Sequence, residues 1–281
     1  MNYSNQKIQD LIVFTDLDGT LLDHDTYSFD EAKPALDRLR KLGVLVIPTT
    51  SKTFAELEVL LQKLNMMSPV IVENGGVVAI PSSNGSINLQ PQHQVGDFNL
   101  THLSMDYSSI LAVLKKLRET YHFKFRGFND MDAFDISKIT GLNNDEAKNA
   151  KKRLCSEPLI WTDSDKNLNK FINALKDYHL SITKGGRFWH VMGETNKSDA
   201  MRKIVQIYQR NFGKKLTVIA LGDNENDVSM LKSADIGVVI RRKDHSCLSF
   251  ESDNKIYTTS LSGPAGWNAF FVHFLDNYPT N

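Results

Sequence analysis

The stretch Leu11-Ile12-Val13-Phe14-Thr15-Asp16-Leu17-Asp18-Gly19-Thr20-Leu21-Leu22 decides the fold. Its apolar run, ending on a carboxylate, reads as a strand buried on both faces, the kind found inside a parallel sheet. Burying two carboxylates at the end of such a strand is costly unless a cation or specific hydrogen bonds compensate. Strand alternation alone would send Asp16 and Asp18 to opposite faces. Gly19 permits a turn straight after them that can bring both into one pocket. A lone Asp-Gly pair is usually only a turn, but the whole pattern Asp-x-Asp-Gly-Thr-Leu behind a buried strand is far more specific.

Working outward, strands and helices alternate. Helices are expected over about Glu31–Leu42 and Phe54–Leu64. Between and after them, Val44–Pro48 and Pro69–Val72 read as strands, ending at Thr49-Thr50-Ser51-Lys52-Thr53 and at Glu73-Asn74-Gly75-Gly76. Near the far end, Asn196–Phe212 is helical, Leu216–Leu221 is a buried strand, and Ile236–Ile240 is another strand before a last helix after Gly263-Pro264. This alternation, with a polar cluster after each strand, predicts an α/β fold with a Rossmann-like parallel sheet. Ligands bind at the carboxyl ends of such strands.

The middle of the chain differs. Pro81–Gln94 reads as a loop or hairpin connector. Helices over Ser104–Thr120, Asp145–Leu154 and Asn167–Asp177 then mix with short strands over His122–Phe128, Leu159–Trp161, Leu180–Thr183 and Phe188–Val191. The expectation is an inserted α+β cap over 86–189, with the core formed by 1–85 and 190–281.

Composition bounds the function. The chain has 281 residues, with 33 Lys plus Arg against 33 Asp plus Glu, so no basic excess points to nucleic acid or an anionic membrane. Apolar runs are strand-sized, and Met1–Asp10 lacks the apolar core of a secretory signal. Cys155 and Cys247 show no metal spacing and read as reduced thiols. A cytoplasmic enzyme acting on a small molecule, as monomer or dimer, is expected.

A second acidic cluster, Gly222-Asp223-Asn224-Glu225-Asn226-Asp227, also follows a buried strand. Alone it could be a capped turn. Opposite Asp16 and Asp18 it makes an oxygen-rich site suited to Mg²⁺, which takes few carboxylates and keeps waters and phosphate oxygens. Phosphoryl transfer also needs donors that carboxylates cannot supply. Thr50, at a strand end, and Lys197, at a helix start, are candidates, though such a hydroxyl is common in turns and such a lysine is more often solvated.

The first motif resembles that of the haloacid dehalogenase superfamily, whose first Asp is the nucleophile and second the general acid and base; Asp16 and Asp18 fill those places. The 222–227 cluster resembles the superfamily's fourth motif. By that resemblance Asp223 ligates Mg²⁺ with Asp16 and the backbone carbonyl of Asp18, while Asn226 and Asp227 hold the surrounding shell or a ligating water. Thr50 and Lys197 resemble the second and third motifs. The insert resembles the C2 type B cap of sugar phosphatases. With Thr49–Thr53, Glu73–Gly76, Gly185-Gly186-Arg187-Phe188-Trp189-His190 and Gly263-Pro264-Ala265-Gly266-Trp267, nearly the whole chain is similar to the mannosyl-3-phosphoglycerate phosphatase family. That resemblance implies a substrate site lined by Lys52, Asn74, Gly75, Gly76, Gly186 and Arg187, and a phosphorylated sugar or glycerate as substrate. A broad sugar-phosphate phosphatase, a mutase and a non-catalytic phosphosugar-binding protein are the alternatives.

Overall fold

The computed structural model describes residues 8–84 and 89–278. Most of Met1–Asp10, and residues 85–88 of the expected connector, lie outside the described residues. The chain opens with β1 (Leu11–Thr15), α1 (Lys33–Lys41), β2 (Leu45–Pro48), α2 (Phe54–Leu64), β3 (Val70–Val72) and β4 (Val77–Pro81). It continues through β5 (His93–Val95), β6 (Phe98–His102), α3 (Tyr107–Tyr121), β7 (Phe125–Gly127), α4 (Ala133–Thr140) and α5 (Asn144–Ala150). Next come β8 (Ser156–Trp161), α6 (Asp165–Lys176), β9 (Leu180–Lys184), β10 (Trp189–Gly193) and α7 (Lys197–Phe212). The last elements are β11 (Thr217–Gly222), α8 (Val228–Ser233), β12 (Ile236–Arg241), β13 (Lys255–Ser262) and α9 (Gly263–Asp276).

A parallel five-stranded sheet runs β13-β12-β11-β1-β2. Strand β1 lies inside the sheet, between β11 (Leu11 opposite Thr217) and the edge strand β2 (Ile12 opposite Leu45). Its five residues are all buried. Their alternation divides them between the two faces: Leu11 and Val13 pack with residues of α1, α2 and α9, Ile12 and Phe14 with residues of α7 and α8. This is the α/β sandwich expected of an apolar strand buried on both sides. Behind the strand, Trp267 of α9 is fully buried and its Nε1 donates to Thr15 Oγ1 at 3.1 Å.

A second, antiparallel sheet runs β7-β8-β10-β9 and is packed on one face by α3 and α6. This is the cap-like α+β unit. A third sheet, β3-β4-β6-β5, differs from the sequence reading. Residues His93–Val95 and Phe98–His102, assigned there to connector and cap, pair with each other and with Val77–Pro81. Phe98 and Leu100 enter the same apolar cluster as Leu11 and Val13. We therefore propose that the cap begins after residue 102. The alternation in Phe98-Asn99-Leu100-Thr101-His102 was the available signal. Strand β13 and helix α4 were also not foreseen.

Among the described residues, no helix is long and apolar enough to cross a membrane.

Candidate active site

The turn after β1 solves the alternation problem. Gly19 adopts φ +82°, and a Cβ there would stand 2.9 Å from Asp223 Oδ2. Hydrogen bonds from Leu22 N to Leu17 O (2.8 Å) and from Gly19 N to Leu22 O (2.9 Å) close the turn. Asp16 and Asp18 thus line one cavity, together with Asp223, Asn224, Asn226 and Lys52 from the core. The cap faces them with Arg153, Gly186, Arg187 and His190, among others.

Lys197 is the hub. It follows the Asn196 N-cap of α7, whose side chain accepts from the N–H groups of Ser198 and Asp199. The ammonium is fully buried and donates to Asp16 Oδ1 and Asp227 Oδ1, each at 2.6 Å. Burial works against its charge, but Asp16 and Asp227 outweigh this and hold it above the ordinary lysine value. Asp227 Oδ2 accepts from Asp223 N (3.2 Å) and Asn224 N (3.0 Å), so both its oxygens are committed. Thr20 Oγ1 donates to Asp223 Oδ1 at 3.2 Å.

Carboxylate oxygens of Asp16, Asp223 and Asp227 all lie within 4.8 Å of one another. Lys197, with Arg242 Nε 3.9 Å from Asp223 Oδ2, cannot fully neutralise three carboxylates. Burial, then repulsion from Asp227, pushes Asp16 well above the usual carboxylate range and Asp223 up to about 7. Such a hard, oxygen-only, electron-rich donor set fits Mg²⁺. Asp18 contributes no carboxylate to this cluster; its Oδ2 pairs with Lys52 Nζ at 3.0 Å. The Lys52 ammonium also lies 4.8 Å from the centroid of the Tyr27 ring, a cation–π contact.

Thr50 is buried at the end of β2, where its hydroxyl accepts from Lys52 N at 3.2 Å. Asn74 Oδ1 accepts from Asn226 Nδ2 at 2.9 Å in a polar cleft adjoining the cavity. Gly186 and Arg187 line the cavity, and the Arg187 guanidinium donates to the Thr140 carbonyl. Gly75 and Gly76, expected at the substrate, are instead pressed against protein. A Cβ on Gly75 would lie 2.2 Å from Asn196 O, and one on Gly76 2.8 Å from Cys155 Cβ. With Gly75 at φ +100°, Gly75→Ala should combine backbone strain with displacement of the backbone that carries Lys197. We expect a loss of about 2 kcal/mol or more in denaturant unfolding, with activity falling alongside; unchanged stability would mean the loop has slack.

Sequence reading missed two arginines. Arg153, buried, donates to Ser51 O (3.1 Å) and Ser156 Oγ (3.0 Å) and lies 3.8–3.9 Å from the carboxylates of Glu73 and Glu56. Glu73, itself fully buried at φ +51°, accepts from Leu154 N, Cys155 N and Ser156 Oγ. This network ties the cap strand β8 to the loops after β2 and β3. Nothing in the local pattern around Arg153 marks it. Arg242 donates from Nε to Asp223 O at 2.9 Å and from Nη2 to Asn224 Oδ1 at 3.2 Å. Its signal was available: it sits just beyond the carboxyl end of β12.

The chain belongs to the haloacid dehalogenase-like hydrolases, whose family pattern matches residues 13–250. It is similar to the glucosyl-3-phosphoglycerate/mannosyl-3-phosphoglycerate phosphatase of Methanococcoides burtonii, 42% identical over 92% of this chain and 94% of that protein. A protein of the same description from Persephonella marina is 35% identical over 95% of this chain and 97% of that one. Among solved structures, the HAD subclass IIB sugar phosphatase BT4131 shares the fold, with a TM-score of 0.63 at 19% identity over 94% of this chain and 98% of that one. The chain is accordingly a phosphatase.

Proposed function

We propose that the chain hydrolyses glycosyl-3-phosphoglycerates, transferring the phosphoryl group to Asp16 and then to water. The observation that carries the chemistry is Lys197, held at 2.6 Å from both Asp16 and Asp227 beside Asp223, with Asp18 on the same cavity wall. The substrate rests on relatives that match this chain over nearly their full lengths.

In the first step an Asp16 oxygen attacks phosphorus, the ester P–O bond breaks, and Asp18 gives its proton to the departing alkoxide. In the second, Asp18 takes a proton from water as that water attacks the phosphorus of the aspartyl phosphate, releasing phosphate and restoring Asp16. Asp16, Asp223 and the Asp18 carbonyl would hold Mg²⁺, with Asp227 orienting the loop through the N–H groups of Asp223 and Asn224. Bound there, the ion would supply positive charge to a phosphoryl group gaining negative charge. Lys197 and the Thr50 hydroxyl act on the same group from the protein side. Lys52 and Arg187 offer cations to an anionic substrate, and the planar Arg187 fork suits a carboxylate.

The test is phosphate release from mannosyl- and glucosyl-3-phosphoglycerate with Mg²⁺ present and after exhaustive chelation, repeated with Asp18→Asn. Wild type should turn over both esters only with metal. Asp18→Asn should lose about 10²–10⁴-fold on these alkoxide-leaving esters and much less on p-nitrophenyl phosphate, whose leaving group needs no proton. Equal losses on both kinds of ester would remove Asp18 from the acid role, and metal-independent turnover would remove Mg²⁺.

A further inference from the structure

His190 carries none of the chemistry above, yet its placement is specific. In β10 it stands opposite Pro158 of β8 and Thr183 of β9. Its neighbours Trp189 and Val191 pack with α3 and α6 on the outer face of the cap sheet. Alternation therefore turns His190 to the inner face, where it lines the cavity shared with Asp16 and Asp18. The side chain is 6% exposed, and its Nδ1 is buried with no hydrogen-bond partner. A buried ring nitrogen without a partner is costly, so a polar group that nothing satisfies beside a binding cavity asks for a ligand atom. Gly185 makes room for the ring: a Cβ there would come within 2.9 Å of His190 Nε2.

The surroundings fix the character of that ligand atom. Burial first, then the positive charges of Arg153 and Lys197, drive the imidazole down to about 3, so the ring is neutral across ordinary pH. A neutral imidazole offers one donor and one acceptor and no charge. The other polar cap groups on the cavity already have protein partners: Arg153 donates to Ser51 and Ser156, and Arg187 gives one of its five N–H donors to the Thr140 carbonyl. Around them the cap wall is apolar, with Phe128, Leu142, Pro158 and Phe188. The phosphate and carboxylate have cations in Lys52, Lys197 and Arg187; where strands β8 and β10 of the cap sheet line the cavity, they present Pro158 and the uncharged His190 ring.

We infer that His190 is a specificity-determining residue that hydrogen-bonds a hydroxyl of the substrate's sugar ring, on a cap wall that holds the uncharged half of the substrate. This rests on the glycosyl-phosphoglycerate reading, and the experiment separates the two. We would measure kcat/KM on mannosyl-3-phosphoglycerate and on 3-phosphoglycerate, which lacks the sugar, for wild type, His190→Leu and His190→Asn. Wild type should favour the glycosyl ester. In His190→Leu the ratio of the two kcat/KM values should fall about 10- to 100-fold, the scale for an unmet hydrogen bond at a buried polar site. His190→Asn, whose amide replaces the Nδ1 edge, should recover most of the ratio, a rescue that a packing role would not produce. A ratio unmoved in His190→Leu, or lowered as far in His190→Asn as in His190→Leu, overturns the assignment while leaving the substrate reading intact. If His190→Leu does not fold, the ratio in His190→Asn decides alone, a value within about 5-fold of wild type supporting the inference and a larger drop overturning it. A wild type with no preference for the glycosyl ester overturns both.

Discussion

Asp16→Asn should abolish turnover on every ester, by about 10⁴-fold or more, and leave no acid-stable phosphoenzyme, while the folded protein becomes no less stable. The two halves of this result have one cause. Asp16 is almost fully buried, and burial together with Asp227 raises its carboxyl well above the ordinary range. A raised carboxyl binds its proton more tightly folded than unfolded, so its contribution to stability is greatest at low pH and is lost as pH rises through the folded value. The ionised carboxylate that attack on phosphorus needs is therefore unfavourable in the metal-free fold. Asparagine removes that charge and keeps an oxygen for Lys197, but it has no anionic oxygen to attack phosphorus. Denaturant melts at pH 7.5 without metal, beside phosphate release and radiolabel trapping, would check both halves. A destabilised variant would show that Asp16 is needed for the fold, and residual phosphoenzyme would place the nucleophile elsewhere.

Lys197→Met should be severe in the opposite manner, losing stability and activity together. The ammonium is the one donor within 2.6 Å of both Asp16 and Asp227, and all three residues are buried. Removing one partner of a buried ion pair leaves an uncompensated charge and costs about 3–5 kcal/mol. Activity should fall by about 10³-fold or more, since a preorganised cation facing the transferring phosphoryl group is lost. Adding Asp227→Asn to Lys197→Met should recover part of the stability, because the amide oxygen can still receive the N–H groups of Asp223 and Asn224, but none of the activity. Stability unchanged in Lys197→Met would contradict the buried pairing, and activity returning in the double variant would make Lys197 a purely structural cation.

The core was legible because its physics is local. Leu11–Thr15, Thr217–Gly222 and Ile236–Arg241 are buried apolar runs followed by polar turns, and each becomes a parallel strand ending at the site. Asp16, Asp18 and Asp223 are carried by those strand ends, so finding the strands found the residues. Lys197 stood out through its resemblance to the superfamily's third motif, because a lysine at a helix start is by itself more often solvated. What stayed hidden depends on pairing across distance. Phe98–His102 alternates as a strand does, but its place outside the cap is decided only by pairing with Val77–Pro81, and Arg153 acquires meaning only next to Glu73 and Ser51, 80 and 102 positions away. At Gly75 and Gly76, which the family resemblance puts at the substrate site, the space a side chain would take is filled by Asn196 and Cys155, a contact no local pattern announces.

The place of β1 between β2 and β11 has a consequence for how the enzyme is made. Its neighbour β11 does not begin until Thr217, and Asp16 meets Lys197 across 181 positions of chain. At synthesis rates of about 5–20 residues per second, the nascent first strand waits roughly 10–40 seconds for that neighbour. Throughout that interval Leu11–Phe14 offers an unpaired apolar edge, the template on which chains aggregate. Closing the ladder and gathering the carboxylates around Lys197 both wait for residues 217–227. A ribosome that stops before residue 217 releases not a weakened enzyme but a sticky fragment, and only the finished chain passes from hazard to catalyst.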